Sequence, residues 1–286
     1  ARLARPHLAI ITAIAKAHIG NLGSIEDIAR EKAAIMRGLE PGGVAVLPAD
    51  SAHLDLLRAE AADARIVTFG TGTGLDARLI SAEEDADSTG IVASIMGAAV
   101  RLHLPAPGRH MAMNAVAALA AAAVLGIPPK DAAAALEDFA PMVGRGVRRR
   151  IAVPGGSALL IDESYNGNAA SMRAALGVLR LQPAARRIAV LGEMLELGDE
   201  GRAEHAGLAP EAAQSADLVF TCGSLMRGLY HSIAPPRRGA HAADAASLAP
   251  LVAGAVRPGD AVLVKGSLGS RMAMVISALD RMAETR

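Results

Sequence analysis

Short apolar runs alternate with helical segments along nearly all of the 286 residues. That alternation confines the chain to α/β folds built on parallel sheets. Residues 8–14, 44–47 and 65–69 read as buried strands, being short, apolar and partly β-branched. Helices are predicted between them at 25–37 and 52–62. The first begins with Ser24 followed by Asp27, a capping-box-like start. Stretches near 77–80, 91–95 and 98–102 read as shorter, antiparallel strands, and helices follow at 110–125 and 129–139.

A junction at 141–145 separates this pattern from a second one. Strands at 147–153 and 158–161 flank Pro154-Gly155-Gly156-Ser157 and predict a hairpin. The alternation then resumes, with helices at 170–181, 202–214, 224–231, 243–253 and 270–283 and strands at 187–191, 218–221 and 261–264. Length supports two domains, at roughly 100–200 residues each, and the pattern places them at 1–142 and 143–286. Lys plus Arg equals Asp plus Glu at 29 each, and aromatic residues are 2%. A nucleic-acid binder needs a basic excess and stacking rings, so that partner class is excluded. The apolar stretch 115–127 is shorter than the ~18 residues of a spanning helix. A single cysteine, Cys222, rules out an internal disulfide framework and fits a reducing cytosol. The chain starts at Ala1 and runs at once into apolar strand-like sequence, which suggests a trimmed or incomplete chain.

Glycine-rich loops are the first candidates for phosphate chemistry. Gly70-Thr71-Gly72-Thr73-Gly74 follows a strand, but Leu75-Asp76-Ala77-Arg78 comes next, with no Gly-Lys-Ser/Thr, so it reads as a turn. No complete phosphate-loop motif occurs anywhere in the chain. The richest segment is Asp162-Glu163-Ser164-Tyr165-Asn166-Gly167-Asn168-Ala169-Ala170-Ser171-Met172, which leaves a strand and enters a helix. Polar side chains at the carboxyl end of a strand can meet a ligand in the crevice there.

Five further segments stand with it in one order: His18 through Gly23-Ser24 to Lys32; Gly108-Arg109-His110-Met111-Ala112-Met113-Asn114; Gly144-Arg145-Gly146; Leu191-Gly192-Glu193-Met194-Leu195-Glu196-Leu197-Gly198; and Val264-Lys265-Gly266-Ser267 with Arg271-Met272. Together the six resemble the Mur ligase family, in the branch that adds D-alanyl-D-alanine to a UDP-N-acetylmuramoyl-tripeptide in peptidoglycan synthesis. The resemblance spans nearly the whole chain. The family's upstream UDP-sugar domain and its Gly-Lys-Thr phosphate loop have no counterpart here. Ala13, Ala34, Met111 and Leu268 stand where the family usually has Asn, Glu, Asn and Arg.

The resemblance implies the remainder of a central ATPase domain followed by a Rossmann-like C-terminal domain, in a cytoplasmic monomer. It implies an amide ligase using ATP and Mg²⁺ through an acyl phosphate, with this chain alone inactive. His18 and a carbamylated Lys32 would serve the metal, and Arg145 the γ-phosphate. Asn114, Asp162, Tyr165 and Asn166 would line the nucleotide site. Lys265, Ser267 and Arg271 would bind substrate carboxylates. Arg148, Arg149 and Arg150 read as a solvated basic strand, His205 as an exposed helix residue without a role, and Cys222 as packing at a strand end. Two readings compete with the ligase: a non-catalytic interaction module derived from such an enzyme, and a folylpolyglutamate synthase-like ligase.

Overall fold

The computed structural model describes residues 3–16, 20 and 23–282. The chain divides into two units, with the main break between Ala140 and Pro141. The expectation at His18 lies outside the described residues.

In the first unit a six-stranded sheet runs in chain order: β1 (Leu8–Ile10), β2 (Val44–Pro48), β3 (Arg65–Gly70), β4 (Ala77–Glu84), β5 (Thr89–Ile95) and β6 (Ala98–Leu104). The first four strands are parallel, and β4–β5 and β5–β6 are antiparallel. β2 is buried along all of its length, as a strand covered on both faces must be. Val44 and Val46 face a core shared with α3 (Arg109–Val124) and α4 (Pro129–Leu136). Ala45 and Leu47 face a second core with α1 (Ile25–Ala33) and α2 (Leu54–Ala61). Ser24 caps α1 by accepting from the Asp27 N–H at 3.1 Å. Two predicted lengths are corrected. The first strand ends at Ile10 rather than 14, after which only the Ile11 N–H still bonds back, to the Val46 carbonyl. The first helix stops at Ala33, and a separate turn of 3₁₀ helix follows at Met36–Gly38.

In the second unit the strands are β7 (Val147–Val153), β8 (Gly156–Glu163), β9 (Arg187–Leu191), β10 (Leu218–Cys222), β11 (Arg238–Ala242) and β12 (Ala261–Lys265). Their order is β11-β10-β9-β12-β8-β7, parallel except for the antiparallel β7–β8 hairpin. β12 therefore inserts between β8 and β9, and the carboxyl ends of β8, β9 and β12 lie together. α5 (Ala169–Arg180) packs on β9 and β12, and α9 (Ala245–Ala255) packs against α10 (Ala273–Arg281). The predicted helix at 202–214 is two pieces, α6 (Gly201–Ala206) and α7 (Ala209–Ser215), because Pro210 opens the second. The last helix of the set, α8, spans Arg227–Ser232. β11 was not predicted. No helix among the described residues is long and apolar enough to cross a membrane.

Candidate active site

The first unit offers a cavity of about 400 Å³ at the carboxyl ends of β1, β2 and β3. Thr12, Ala13, Asp50, His53, Phe69 and Met113 are among its walls. Asp50 organises one rim by accepting from the Thr71 N–H at 2.9 Å and the Thr71 hydroxyl at 3.0 Å. The glycine-rich segment after β3 is thus a turn pinned by a carboxylate. A phosphate would meet repulsion there, in keeping with its reading as a turn.

Lys32 lies in the last turn of α1, with its ammonium donating to the Ala13 carbonyl at 2.9 Å beside that cavity. Partial desolvation lowers its pKa. As an ammonium it repels a metal ion. Among the described residues no group of three or more His, Cys, Asp or Glu is placed to hold one. The described residues by themselves do not therefore make a Mg²⁺ site. Asn114 sits on the Ala-rich helix α3. It is exposed, and among the described residues its Nδ2 has a 4.0 Å contact with the Met111 sulfur. The core face of α3 is carried by Ala112, Ala115, Val116 and Leu119, which leaves the Asn114 amide available to a ligand.

The second unit concentrates most of the candidate residues. β8 delivers Asp162 at its carboxyl end, where the residue is 6% exposed. Its Oδ1 accepts from the Ser164 N–H at 3.1 Å and the Ser164 hydroxyl at 2.6 Å. Its Oδ2 accepts from the Gly144 N–H at 3.2 Å. The Gly146 N–H donates to the Asp162 carbonyl at 2.8 Å, and the Tyr165 N–H donates to the Gly144 carbonyl at 3.2 Å. Asp162 thus staples the segment 144–146 onto β8. A buried carboxylate needs such donors close by.

Lys265 is likewise braced within the chain. It is the register partner of Glu163 on the neighbouring parallel strand. Its ammonium donates to Glu163 Oε2 at 3.2 Å and to the Asn166 carbonyl at 2.9 Å, in a residue only 2% exposed. Burial lowers its pKa, and Glu163 opposes that shift. Ser267 is also committed to the chain: its hydroxyl donates to the Gly167 carbonyl at 3.2 Å and accepts from the Leu195 N–H at 3.0 Å. Part of the Asp162–Met172 segment serves the helix itself. The Asn168 side chain accepts from the Ser171 N–H at 2.8 Å, and the Ser171 hydroxyl accepts from the Asn168 N–H at 3.1 Å, a reciprocal cap on α5.

These braces leave Arg145, Tyr165, Asn166 and Arg271 exposed. The Asn166 Oδ1 accepts from its neighbour's N–H in Gly167 at 2.8 Å. Asn166 borders a cavity of about 150 Å³ together with Asn168, Leu195 and Ser267. A second cavity, of about 190 Å³, is lined by Glu193, Cys222, Asp244, Ser270 and Arg271. Both open at the carboxyl ends of parallel strands, where ligands of such sheets bind. The Arg271 guanidinium forms no ion pair among the described residues. The Ser247 N–H, with Arg271 contributing, holds the Asp244 carboxyl below its ordinary range.

Two residues near this site were misread or missed. His205 is fully buried, not exposed. Its Nε2 accepts from the Met194 N–H at 2.8 Å and its Nδ1 faces the Gly201 carbonyl. That pairing makes Nδ1 the protonated nitrogen of a neutral ring. Glu193 accepts from the Leu225 N–H at 2.8 Å. Both fix the backbone of 193–195, whose side of the site Ser267 also holds. Cys222 is buried, and burial pushes its thiol up to about 12, so it packs rather than reacts.

Comparison with known proteins identifies these two units. Residues 1–122 match the Mur ligase middle domain, and residues 144–268 match the Mur ligase glutamate ligase domain. The UDP-N-acetylmuramoyl-tripeptide–D-alanyl-D-alanine ligase of Bacillus subtilis is 32% identical over 286 aligned residues, covering 97% of this chain and 60% of that protein. The ligase of the same name from Escherichia coli K12 is 30% identical, over 97% of this chain and 61% of its own. A crystal structure of MurF from Acinetobacter baumannii superposes with a TM-score of 0.86 at 29% identity, covering 98% of this chain and 61% of that one. A MurF ligase from Thermotoga maritima, solved in complex with ADP, shares the fold with a TM-score of 0.82 at 23% identity, over 99% and 64% of the two chains. The chain thus spans about 60% of the length of the relatives it matches.

Proposed function

This chain belongs to the Mur ligase family, and we propose that, within a protein of its relatives' full length, it serves an ATP-dependent amide ligase. The reaction we assign is the joining of D-alanyl-D-alanine to UDP-N-acetylmuramoyl-tripeptide. A carboxylate oxygen of the tripeptide attacks the γ-phosphorus of ATP, and ADP leaves. The amine of the dipeptide then attacks the acyl carbon of the resulting acyl phosphate. Phosphate leaves carrying that oxygen, and the nitrogen loses a proton. The likeness to ligases bearing this name supports the substrates, and the ADP complex of a relative supports the nucleotide.

One observation carries the reading of the site: the buried braces Asp162, Lys265 and Ser267 lock three loops together and leave a free guanidinium, Arg145, at their exposed edge. In this reading Arg145 meets the γ-phosphate as charge moves onto it, a role suited to paired N–H donors. Tyr165 lies against it, Asn166 follows in the chain, and the sequence resemblance assigns Asn114 to the nucleotide base or ribose. Arg271, beside Glu193 and Asp244, takes the dipeptide carboxylate. Lys265, Ser267 and Asp162 act by holding the loops rather than by touching substrate.

Mg²⁺ belongs to the reading as a neutraliser of phosphate charge, and the sequence resemblance assigns it to His18 and to Lys32 as a carbamate. The lowered pKa of Lys32 favours that modification, since only the neutral amine can attack CO₂. The reading places the reaction in the cytoplasm, where ATP is made available.

The test is a substrate panel on the full-length protein with ATP. Mass spectrometry should find the tripeptide lengthened by D-alanyl-D-alanine, with ADP and phosphate released. Glutamate addition to a folate, or no product with either, would overturn the assignment.

A further inference from the structure

We propose that Tyr165 is a positioning residue for Arg145, holding the guanidinium by its face so that its edge stays open to an oxyanion. The proposal rests on the reading of Arg145 as the phosphate-facing group. Other arginines of the chain are secured by their edges. Arg37, Arg149, Arg173 and Arg186 each lie against a carboxylate, which consumes N–H donors. Arg145 forms no ion pair among the described residues. Its Cζ instead sits 4.4 Å from the centroid of the Tyr165 ring. Stacking on an aromatic face uses the guanidinium's flat π surface and its charge and leaves the in-plane N–H groups unspent.

The backbone of both partners is fixed for this contact. Gly144 has φ +75°, and a Cβ there would come within 2.9 Å of the Tyr165 Cβ. A larger residue would force the two segments apart as well as straining the turn. The Gly144 carbonyl accepts from the Tyr165 N–H, and the Gly144 N–H reaches the Asp162 carboxylate. The Arg145 N–H donates to the Met142 carbonyl at 2.9 Å, and the Gly146 N–H is tied to the Asp162 carbonyl. Arg145 and Tyr165 therefore hang from two backbone segments bonded to each other on both sides of the stack. Tyr165 is 46% exposed and so contributes little to the core. Its hydroxyl has no hydrogen-bond partner among the described residues. An exposed ring with no bond of its own, laid against an unpaired cation, is accounted for by the stacking.

Two measurements test this. The first uses the 286-residue chain and NMR of its arginine side chains. A guanidinium over a ring face is shielded, so the Arg145 Nε–H proton should lie upfield of the other arginines. Tyr165→Leu should abolish the displacement, and Tyr165→Phe should preserve it. The second uses the full-length enzyme. Tyr165→Leu should lower kcat about 2- to 5-fold, the rate equivalent of an exposed cation–π contact, with KM for ATP nearly unchanged. Tyr165→Phe should restore the rate, and Tyr165→Leu added to Arg145→Ala should cost nothing further. An unshifted Arg145 proton overturns the stacking itself. A shifted proton with fully additive kinetic losses overturns the positioning role and makes Tyr165 a direct ligand contact. A shifted proton with normal turnover in Arg145→Ala overturns instead the phosphate-facing reading on which the proposal rests.

Discussion

Lys265→Met should destabilise the second unit by about 2–3 kcal/mol, because its buried ammonium is paired with Glu163 and the Asn166 carbonyl. The Lys265 side chain is 3% exposed and that of Glu163 is 26% exposed. Removing one partner of a fully buried ion pair costs about 3–5 kcal/mol, most of it for the charge left behind. Here the abandoned charge is the Glu163 carboxylate, and water reaches part of it, so the cost falls toward the lower end. The Asn166 carbonyl also loses its donor. The methionine stem keeps most of the packing of the lysine methylenes. At roughly 2–4 °C per kcal/mol for a domain of this size, the melting temperature should fall by about 4–12 °C. The double variant Glu163→Met/Lys265→Met should recover to within ~1 kcal/mol of the parent, because apolar replacement of a buried pair is nearly neutral. Urea unfolding followed by circular dichroism gives the energies, and amide exchange across 163–168 reports the loop. A Lys265→Met loss under ~0.5 kcal/mol, with the double variant simply additive, would refute the reasoning.

Burial of His205 lowers its pKa below the ordinary 6.5, so the unfolded chain binds its proton more readily than the folded one. The stability tied to a neutral His205 is complete above about pH 6.5 and is lost as pH falls from there toward the lower folded value. The urea midpoint of the parent should drop more between pH 7.5 and 5.5 than that of His205→Gln; equal drops would contradict it. In the full-length enzyme, Arg145→Ala should lower the maximal rate about 10- to 150-fold, the equivalent of a charge-assisted contact of ~1.5–3 kcal/mol. Calorimetry should show a smaller loss of ATP affinity; an equal loss with unchanged rate would make Arg145 a ground-state binder. Lys32 should yield a carbamate signal in ¹³C NMR under labelled CO₂, absent from Lys32→Arg; the same signal in both would assign it elsewhere. The 286-residue chain alone should release no ADP when given both substrates, since it carries no Gly-Lys-Thr loop; robust substrate-dependent turnover would contradict that.

Strands with β-branched, apolar sequence were legible, as in Ile188–Val190 and Val262–Val264, because burial on both faces demands that composition. β11 was not. Arg238-Gly239-Ala240-His241-Ala242 has no β-branched residue, and an edge strand tolerates polar side chains. Its glycine has a structural reason: a Cβ at Gly239 would lie 2.6 Å from the Phe220 ring on the neighbouring strand. The break between α6 and α7 was missed although Pro210 marks it, since proline suits the first turn of a helix and interrupts its interior. His205 looked exposed because one partner, the Met194 N–H, belongs to a loop no periodicity describes, while the other is the Gly201 carbonyl of its own helix. The candidate site shows the same division. The family resemblance singled out Asp162, Lys265, Ser267 and Arg145, and the fold brings them to one end of one sheet. Their separate tasks depend on the order β9-β12-β8, which sets Lys265 directly beside Glu163. That order is a long-range property, and without it an ion-paired brace cannot be told from a ligand-binding lysine.

The central chemical claim is that the substrate carboxylate is activated as an acyl phosphate. The full-length protein can be given UDP-N-acetylmuramoyl-tripeptide whose terminal carboxylate carries ¹⁸O in both oxygens, with ATP and D-alanyl-D-alanine. The mechanism predicts one ¹⁸O in each inorganic phosphate formed and one in the new amide carbonyl. Inorganic phosphate without label, alongside normal product, would contradict it.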